Sequence, residues 1–150
     1  EFVITDVGDV SLILCMEVLR DRKAGTLERS QRKYALSVLD RFNMSECNPV
    51  STQGAGKELQ AELNNGVVLD EDATKTYQAI VGSLIFLTQS TRFDIRYSVM
   101  QAARFMSKPT KEHMASVKRI LRYRRGTPIC LLSTLPAAFK LAGYADASYG

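Results

Sequence analysis

Residues 109–126 read Pro109-Thr110-Lys111-Glu112-His113-Met114-Ala115-Ser116-Val117-Lys118-Arg119-Ile120-Leu121-Arg122-Tyr123-Arg124-Arg125-Gly126, and this stretch decides the fold class. Met114, Val117, Ile120 and Leu121 recur at three- and four-residue spacing, which lays one apolar stripe along a helix. Pro109-Thr110 supplies a start signal and Gly126 a stop. Opposite the stripe, Lys118, Arg119, Arg122, Arg124 and Arg125 fall within eight residues, interleaved with Tyr123. The helix dipole favours cations near a C-terminus, which is one account of them. Five in two turns exceed what capping requires and form a ridge able to contact several phosphates, so they are candidate nucleic-acid-binding residues.

Upstream lie three more helical patterns. Residues 94–106 place Ile95, Val99, Ala103 and Met106 inward. Before them Tyr77, Ile80, Val81, Leu84 and Leu87 mark a long apolar face, preceded by Asp70-Glu71-Asp72, where negative charge suits a helix N-terminus. Residues 31–43, with Ser30 as N-cap, carry Tyr34, Ala35, Val38, Leu39 and Phe42 at helical spacing, and Asn48-Pro49 is the expected terminator. Residues 51–66, rich in Gly, Gln, Glu and Asn without periodicity, form the candidate linker. The N-terminal segment alternates around a turn at Val7-Gly8-Asp9 and continues into a strand-like run, Leu12 to Met16, so a β-hairpin is expected over 2–18. Turn-prone residues follow from Arg20 to Gly25. Beyond Gly126 come two strand-like runs, 129–132 and 139–144. Strands, helices, then strands make the class α+β.

Composition narrows the function. The 150 residues are 45% hydrophobic and 24% charged, with net charge +4 and a pI near 9.1. That is a globular balance, compatible with polyanion binding. Cys15, Cys47 and Cys130 form no CxxC pair, and the lone His113 has no cysteine near it, which argues against a zinc site and for inert thiols in a reducing compartment. No apolar run has the length to span a bilayer, and no signal peptide is evident. Gly54-Ala55-Gly56-Lys57 lacks the first Gly and the Ser/Thr of a phosphate-binding loop, since Ser51 and Glu58 hold those places. Asn43-Met44-Ser45 fits a glycosylation triplet by chance at a helix end. His113 is placed to cap its helix or to face solvent. Asp146, just past the alternating strand, is either a turn residue or one carboxylate of a Mg2+ site.

Several motifs together resemble the reverse transcriptase of copia-type retrotransposons. Phe2-Val3-Ile4-Thr5-Asp6-Val7-Gly8 and Leu14-Cys15-Met16-Glu17-Val18 are similar to its "F-x-M-x-D-L-G … F-L-G-I-E-V", with Cys15 where the family has Gly. Ser30-Gln31-x-Lys33-Tyr34, Leu39-x-x-Phe42-x-Met44 and Cys47-x-Pro49-Val50-Ser51-Thr52 resemble "L-S-Q-x-K-Y … L-x-x-F-x-M-x-x-C-x-P-V-x-T-P". Tyr77-x-x-x-Val81-Gly82-Ser83-Leu84 and Thr91-Arg92-Phe93-Asp94-Ile95 resemble "Y-R-x-x-V-G-S-L … T-R-P-D-I". Arg104-Phe105-Met106, Pro109-Thr110, His113, Lys118 to Tyr123 and Gly126-Thr127 resemble "R-F-M-x-x-P-T-x-x-H-x-x-A-x-K-R-I-L-R-Y-L-K-G-T". Leu141 to Ser148 is like "L-x-G-Y-S-D-A-D-W", the first RNase H strand, with Ser148 where the second Asp stands.

The resemblance implies an internal piece of a Pol polyprotein. Residues 1–24 correspond to the palm-end, primer-grip-like hairpin with Leu14, Cys15 and Met16 at the grip. Residues 25–127 correspond to a helical thumb or connection region, and 128–150 to the truncated start of an RNase H-like domain. Asp146 corresponds to the first RNase H carboxylate, a Mg2+ ligand in the complete parent, with no cofactor expected for this chain alone. The implied partners are an RNA/DNA template–primer duplex and the rest of the polyprotein, with no membrane. The implied location is intracellular, in a cytoplasmic virus-like particle or the nucleus. A non-catalytic helical nucleic-acid-binding module, or a domesticated scaffold, is the alternative.

Overall fold

Helical faces that the periodicity predicts build the core. The structure, a computed structural model, describes residues 8–54, 67–127 and 131–134. Strands β1 (Leu12–Ile13), β2 (Met16–Asp21) and β3 (Thr26–Ser30) come first. Helices α1 (Arg32–Arg41) and α2 (Glu71–Thr88) follow, then a 3-10 turn (Phe93–Ile95), α3 (Arg96–Ala103), α4 (Lys111–Gly126) and β4 (Leu131–Thr134). The class is α+β, as expected.

Ala35, Val38 and Leu39 of α1 meet Tyr77, Ile80, Val81, Leu84 and Leu87 of α2, Ile95, Val99 and Ala102 around α3, and Val117, Ile120 and Leu121 of α4. All are at most 3% exposed. Each fully buried aliphatic side chain contributes roughly 1.5–3 kcal/mol, so this cluster dominates stability. Asp70 caps α2 by accepting from the Ala73 N–H at 2.8 Å, with Glu71 and Asp72 in the first turn. The segment before α2 and the start of α4 are tied together: the Leu69 N–H donates to the Pro109 carbonyl at 3.0 Å, and the Lys111 N–H to that of Val67 at 3.1 Å.

The sheet is antiparallel in the order β1-β2-β3-β4. β4 pairs with β3 from Leu27↔Thr134 to Ser30↔Leu131, so the first of the two downstream strand runs joins the hairpin's sheet. The run at 139–144 and Asp146 lie outside the described residues, as do the Gly56-Lys57 pair and residues 55–66 of the candidate linker.

Four local expectations need correction. The run Leu12 to Met16 is not one strand: Leu14 and Cys15 have φ of 48° and 59° and form a two-residue turn between the paired Ile13 and Met16. Positive φ at both central positions is the signature of a hairpin turn whose twist matches the strands, so the described hairpin turns at 14–15; Gly8 has φ 82°, and Val7 with the strand expected before it lies outside the described residues. Helix α1 begins at Arg32 behind Gln31, because Ser30 is the last residue of β3, although Ser30 Oγ still accepts from the Arg32 N–H at 3.2 Å. The helix ends well before Asn48-Pro49. Asn43 adopts φ 54°, and the Asn43 and Met44 N–H groups return to the Asp40 and Leu39 carbonyls at 3.0 and 2.8 Å. That is the left-handed C-terminal closure of a Schellman motif. Finally, 94–106 divides into the 3-10 turn and the shorter α3, with Ala102 fully buried in place of Ala103.

Candidate nucleic-acid interface

Helix α4 starts on a reciprocal cap. His113 Nδ1 accepts from the Thr110 N–H at 3.1 Å, while the His113 N–H points back at Thr110 Oγ1 at 3.5 Å. His113 is 5% exposed and stacks on Phe105 at 4.1 Å between ring centroids. Of the two roles open to it, capping is the one observed.

The basic cluster divides. Arg119 donates from Nε to the Gly54 carbonyl at 3.2 Å and from Nη2 to Thr52 Oγ1 at 2.8 Å. Arg122 Nε donates to the Asn48 carbonyl at 2.7 Å. Arg125 reaches the Cys47 carbonyl and pairs with Glu46 Oε2 at 3.1 Å. These three arginines fasten residues 46–54 along α4. Arg124 is 2% exposed and bonds the Thr127 carbonyl at 3.0 Å. Lys118 alone of the five is fully on the surface.

Gly126 serves the same fastening. It is the last residue of α4, not a left-handed stop after it, because Thr127 closes the helix. A Cβ at Gly126 would lie 3.1 Å from Pro49 Cβ and 3.6 Å from the Val50 carbonyl, so glycine lets the 46–54 segment approach.

Beneath this end of α4 sits Arg92, a residue singled out only as part of a motif. It is 2% exposed, forks onto both Asp94 oxygens at 2.8 and 2.7 Å, and lies over the Tyr123 ring at 5.6 Å. Burial pushes the Asp94 carboxyl up, but the Arg92 hydrogen bonds and charge, with a hydrogen bond from Tyr123, outweigh it and hold the pKa below the usual 3.8. The family's "T-R-x-D" and "G-T" elements are thereby parts of one buried polar lock.

The hairpin tip is exposed at its two turn residues. Leu14 is 72% exposed, Cys15 is exposed and Met16 half-buried, while Leu12 and Leu19 are 63% and 66% exposed. Cys15 occupies a left-handed position, a conformation that favours glycine, which is the residue the resembling family has there. Arg41 and Lys75 share a cleft with Lys118. No local motif could have revealed this, because the three lie on different helices. Among the described residues, no group of three His, Cys, Asp or Glu side chains could hold a metal ion. No helix among them is long and apolar enough to cross a membrane.

No family model matches the sequence, and no solved structure matches the fold. Curated relatives do match. The chain is 39% identical over 152 residues to the retrovirus-related Pol polyprotein from transposon TNT 1-94 of Nicotiana tabacum, covering 97% of this chain and 11% of that protein. It is 46% identical over 102 residues to the corresponding polyprotein from transposon RE1 of Arabidopsis thaliana, covering 68% of this chain and 7% of that one. An uncharacterized mitochondrial protein of Arabidopsis thaliana is 35% identical over 127 residues, 84% of this chain and 50% of the relative. The chain thus spans about a tenth of the tobacco polyprotein's length. The motifs in order and the similarity over nearly every residue agree: this chain belongs to the retrovirus-related Pol polyproteins of copia-type transposons.

Proposed function

We propose that this segment contributes template–primer binding to a polyprotein with reverse transcriptase and RNase H activities. The similarity to a Pol polyprotein over 97% of the chain carries the reading. The tip at Leu14, Cys15 and Met16, exposed at its first two residues, is suited to meet a primer terminus, while the helices from α1 to α4 follow the duplex through phosphate contacts. Net charge +4 favours such a partner.

The segment acts by holding, not by chemistry. The family's Tyr-x-Asp-Asp element does not occur in the 150 residues. Asp146, as an oxygen donor, suits Mg2+ and is the residue proposed to join an RNase H carboxylate set completed elsewhere in the polyprotein. Mg2+ bound there would stabilise charge at a scissile phosphate. An intracellular site of action, in a particle or the nucleus, belongs to the same proposal.

One observation favours a second reading. Arg119, Arg122, Arg124 and Arg125 all bond within the protein. A domesticated scaffold would use them only so. A salt titration separates the two readings. The full chain should bind a labelled RNA–DNA hybrid with log affinity falling linearly in log salt, by roughly 0.7–0.9 per phosphate contact. Absent or salt-insensitive binding would leave the scaffold.

A further inference from the structure

Of the cations clustered over residues 118–125 only Lys118 is exposed, and it shares a cleft with two cations from other helices. An open cleft of about 540 Å³ lies between the end of α1, the first half of α2 and the middle of α4. Arg41, Lys75 and Lys118 line it, and all three are exposed. No acidic residue lines it. Its apolar wall is formed by Phe42, Ile80 and Leu121.

Arg41 and Lys75 each have an ordinary explanation, and Lys118 has none. Arg41 in the last turn of α1 is favoured by the helix dipole. Lys75 pairs with Glu71 one turn back at 2.6 Å, but with side chains 64% and 83% exposed, so water competes freely for both ends. Lys118 stands in the middle of α4, where neither terminus acts on it. It has no hydrogen bond or ion pair among the described residues, while the neighbouring Arg119 and Arg122 are held by the 46–54 segment. Three cations line one cleft with only the exposed Glu71, beside Lys75, as a countercharge, and an anion entering the cleft relieves their repulsion.

We infer that this cleft binds a phosphate group through Arg41, Lys75 and Lys118, with the apolar wall facing the sugar of a phosphate ester. The inference rests on the nucleic-acid reading for its most direct source, a backbone phosphate; a free phosphate offers the same chemistry. It adds Arg41 and Lys75, which no motif marks.

The test uses the full chain, a variant carrying Arg41→Gln, Lys75→Gln and Lys118→Gln, and a control carrying Arg20→Gln, Lys23→Gln and Lys108→Gln. All six positions are exposed, and matching thermal melts confirm folding. Both variants lose the same charge. The cleft variant should bind a labelled RNA–DNA hybrid at least about tenfold more weakly than the control, with the salt slope reduced by about two units. Equal losses in the two variants would overturn the site. If the unaltered chain binds no hybrid, the proposed function fails by itself and inorganic phosphate judges the cleft. Saturable amide shifts at Asn43, Met44 and Thr76 that vanish in the cleft variant would identify a free-phosphate site, and no shifts would remove it.

Discussion

Arg92 and Thr127 are held together by two hydrogen bonds: Nη1 to the Thr127 carbonyl at 2.8 Å and Nη2 to its Oγ1 at 2.9 Å. The pair connects the turn after α2 to the end of α4. Because Arg92 also forks onto Asp94, one guanidinium determines how three elements meet.

Removing that guanidinium should therefore be costly. Arg92→Ala removes the two-pronged donor of the Asp94 carboxylate and one of the two donors to the Thr127 carbonyl, leaving Tyr123 and Arg124 as their remaining partners. Breaking a buried pair from one side costs about 3–5 kcal/mol, and the low end applies because Asp94 remains 38% exposed. Urea unfolding should show a loss of about 3 kcal/mol, with Arg92→Lys recovering only part of it, since an ammonium lacks the planar fork. A loss below about 1 kcal/mol would show that the lock is decorative.

The same pair sets an acid limit. The folded Asp94 pKa lies below the unfolded one, so its contribution is fully present above about pH 4 and disappears as pH falls through the folded value. Asp94→Asn should be less stable near neutrality and should flatten the stability–pH curve below pH 4. Parallel curves for the two proteins would contradict this.

Tyr77 marks the alkaline limit. Its hydroxyl donates to the Ala102 carbonyl at 2.7 Å from a fully buried position, and burial pushes the phenol pKa up to about 12. The stability tied to its neutral form is complete below pH 10 and is lost as pH climbs toward 12. Tyr77→Phe should cost about 1 kcal/mol at pH 7, the usual net value of one hydrogen bond, because the Phe105 N–H still donates to the Ala102 carbonyl. Phenolate absorbance during an alkaline titration should lose its latest component in that variant.

The hairpin tip offers a gain in stability. Leu14 and Cys15 both occupy left-handed backbone, at roughly 1–2 kcal/mol for an ordinary residue. Replacing them together, Leu14→Asn with Cys15→Gly, gives the pair preferred in such turns. The melting temperature should rise, by an amount equivalent to about 1 kcal/mol. If primer contact depends on the Leu14 side chain, hybrid affinity should fall in the same protein.

The fastening of 46–54 is testable by proteolysis. Arg119→Ala with Arg122→Ala and Arg125→Ala, or Gly126→Leu alone, should expose this segment to cleavage while the helical core still melts cooperatively. Protection equal to the unaltered chain would mean that Pro49 and Val50 hold the segment without them.

The helical faces were legible because periodicity is local: Tyr77 through Leu87 and Met114 through Leu121 state which side is buried without reference to the rest of the chain. Asp70 as a cap was legible for the same reason, and motif order pointed to the family that the relatives then showed. Other features depended on partners far along the chain. Nothing in "Lys-Arg-Ile-Leu-Arg-Tyr-Arg-Arg" says which cations are engaged, because their acceptors are mainly backbone carbonyls of Cys47, Asn48 and Gly54, and every residue carries a carbonyl. Only packing decides which carbonyls arrive.

Sequence by itself therefore determined the α+β class, the buried faces and the polyprotein family. Tertiary structure alone decided that Gly126 is small for the sake of Pro49, that Leu14 and Cys15 turn instead of extending, and that Arg41, Lys75 and Lys118 share one cleft. The physical reason is range. Hydrophobic spacing and capping act within a turn or two of chain, whereas steric approach and converging charge exist only once distant helices have packed.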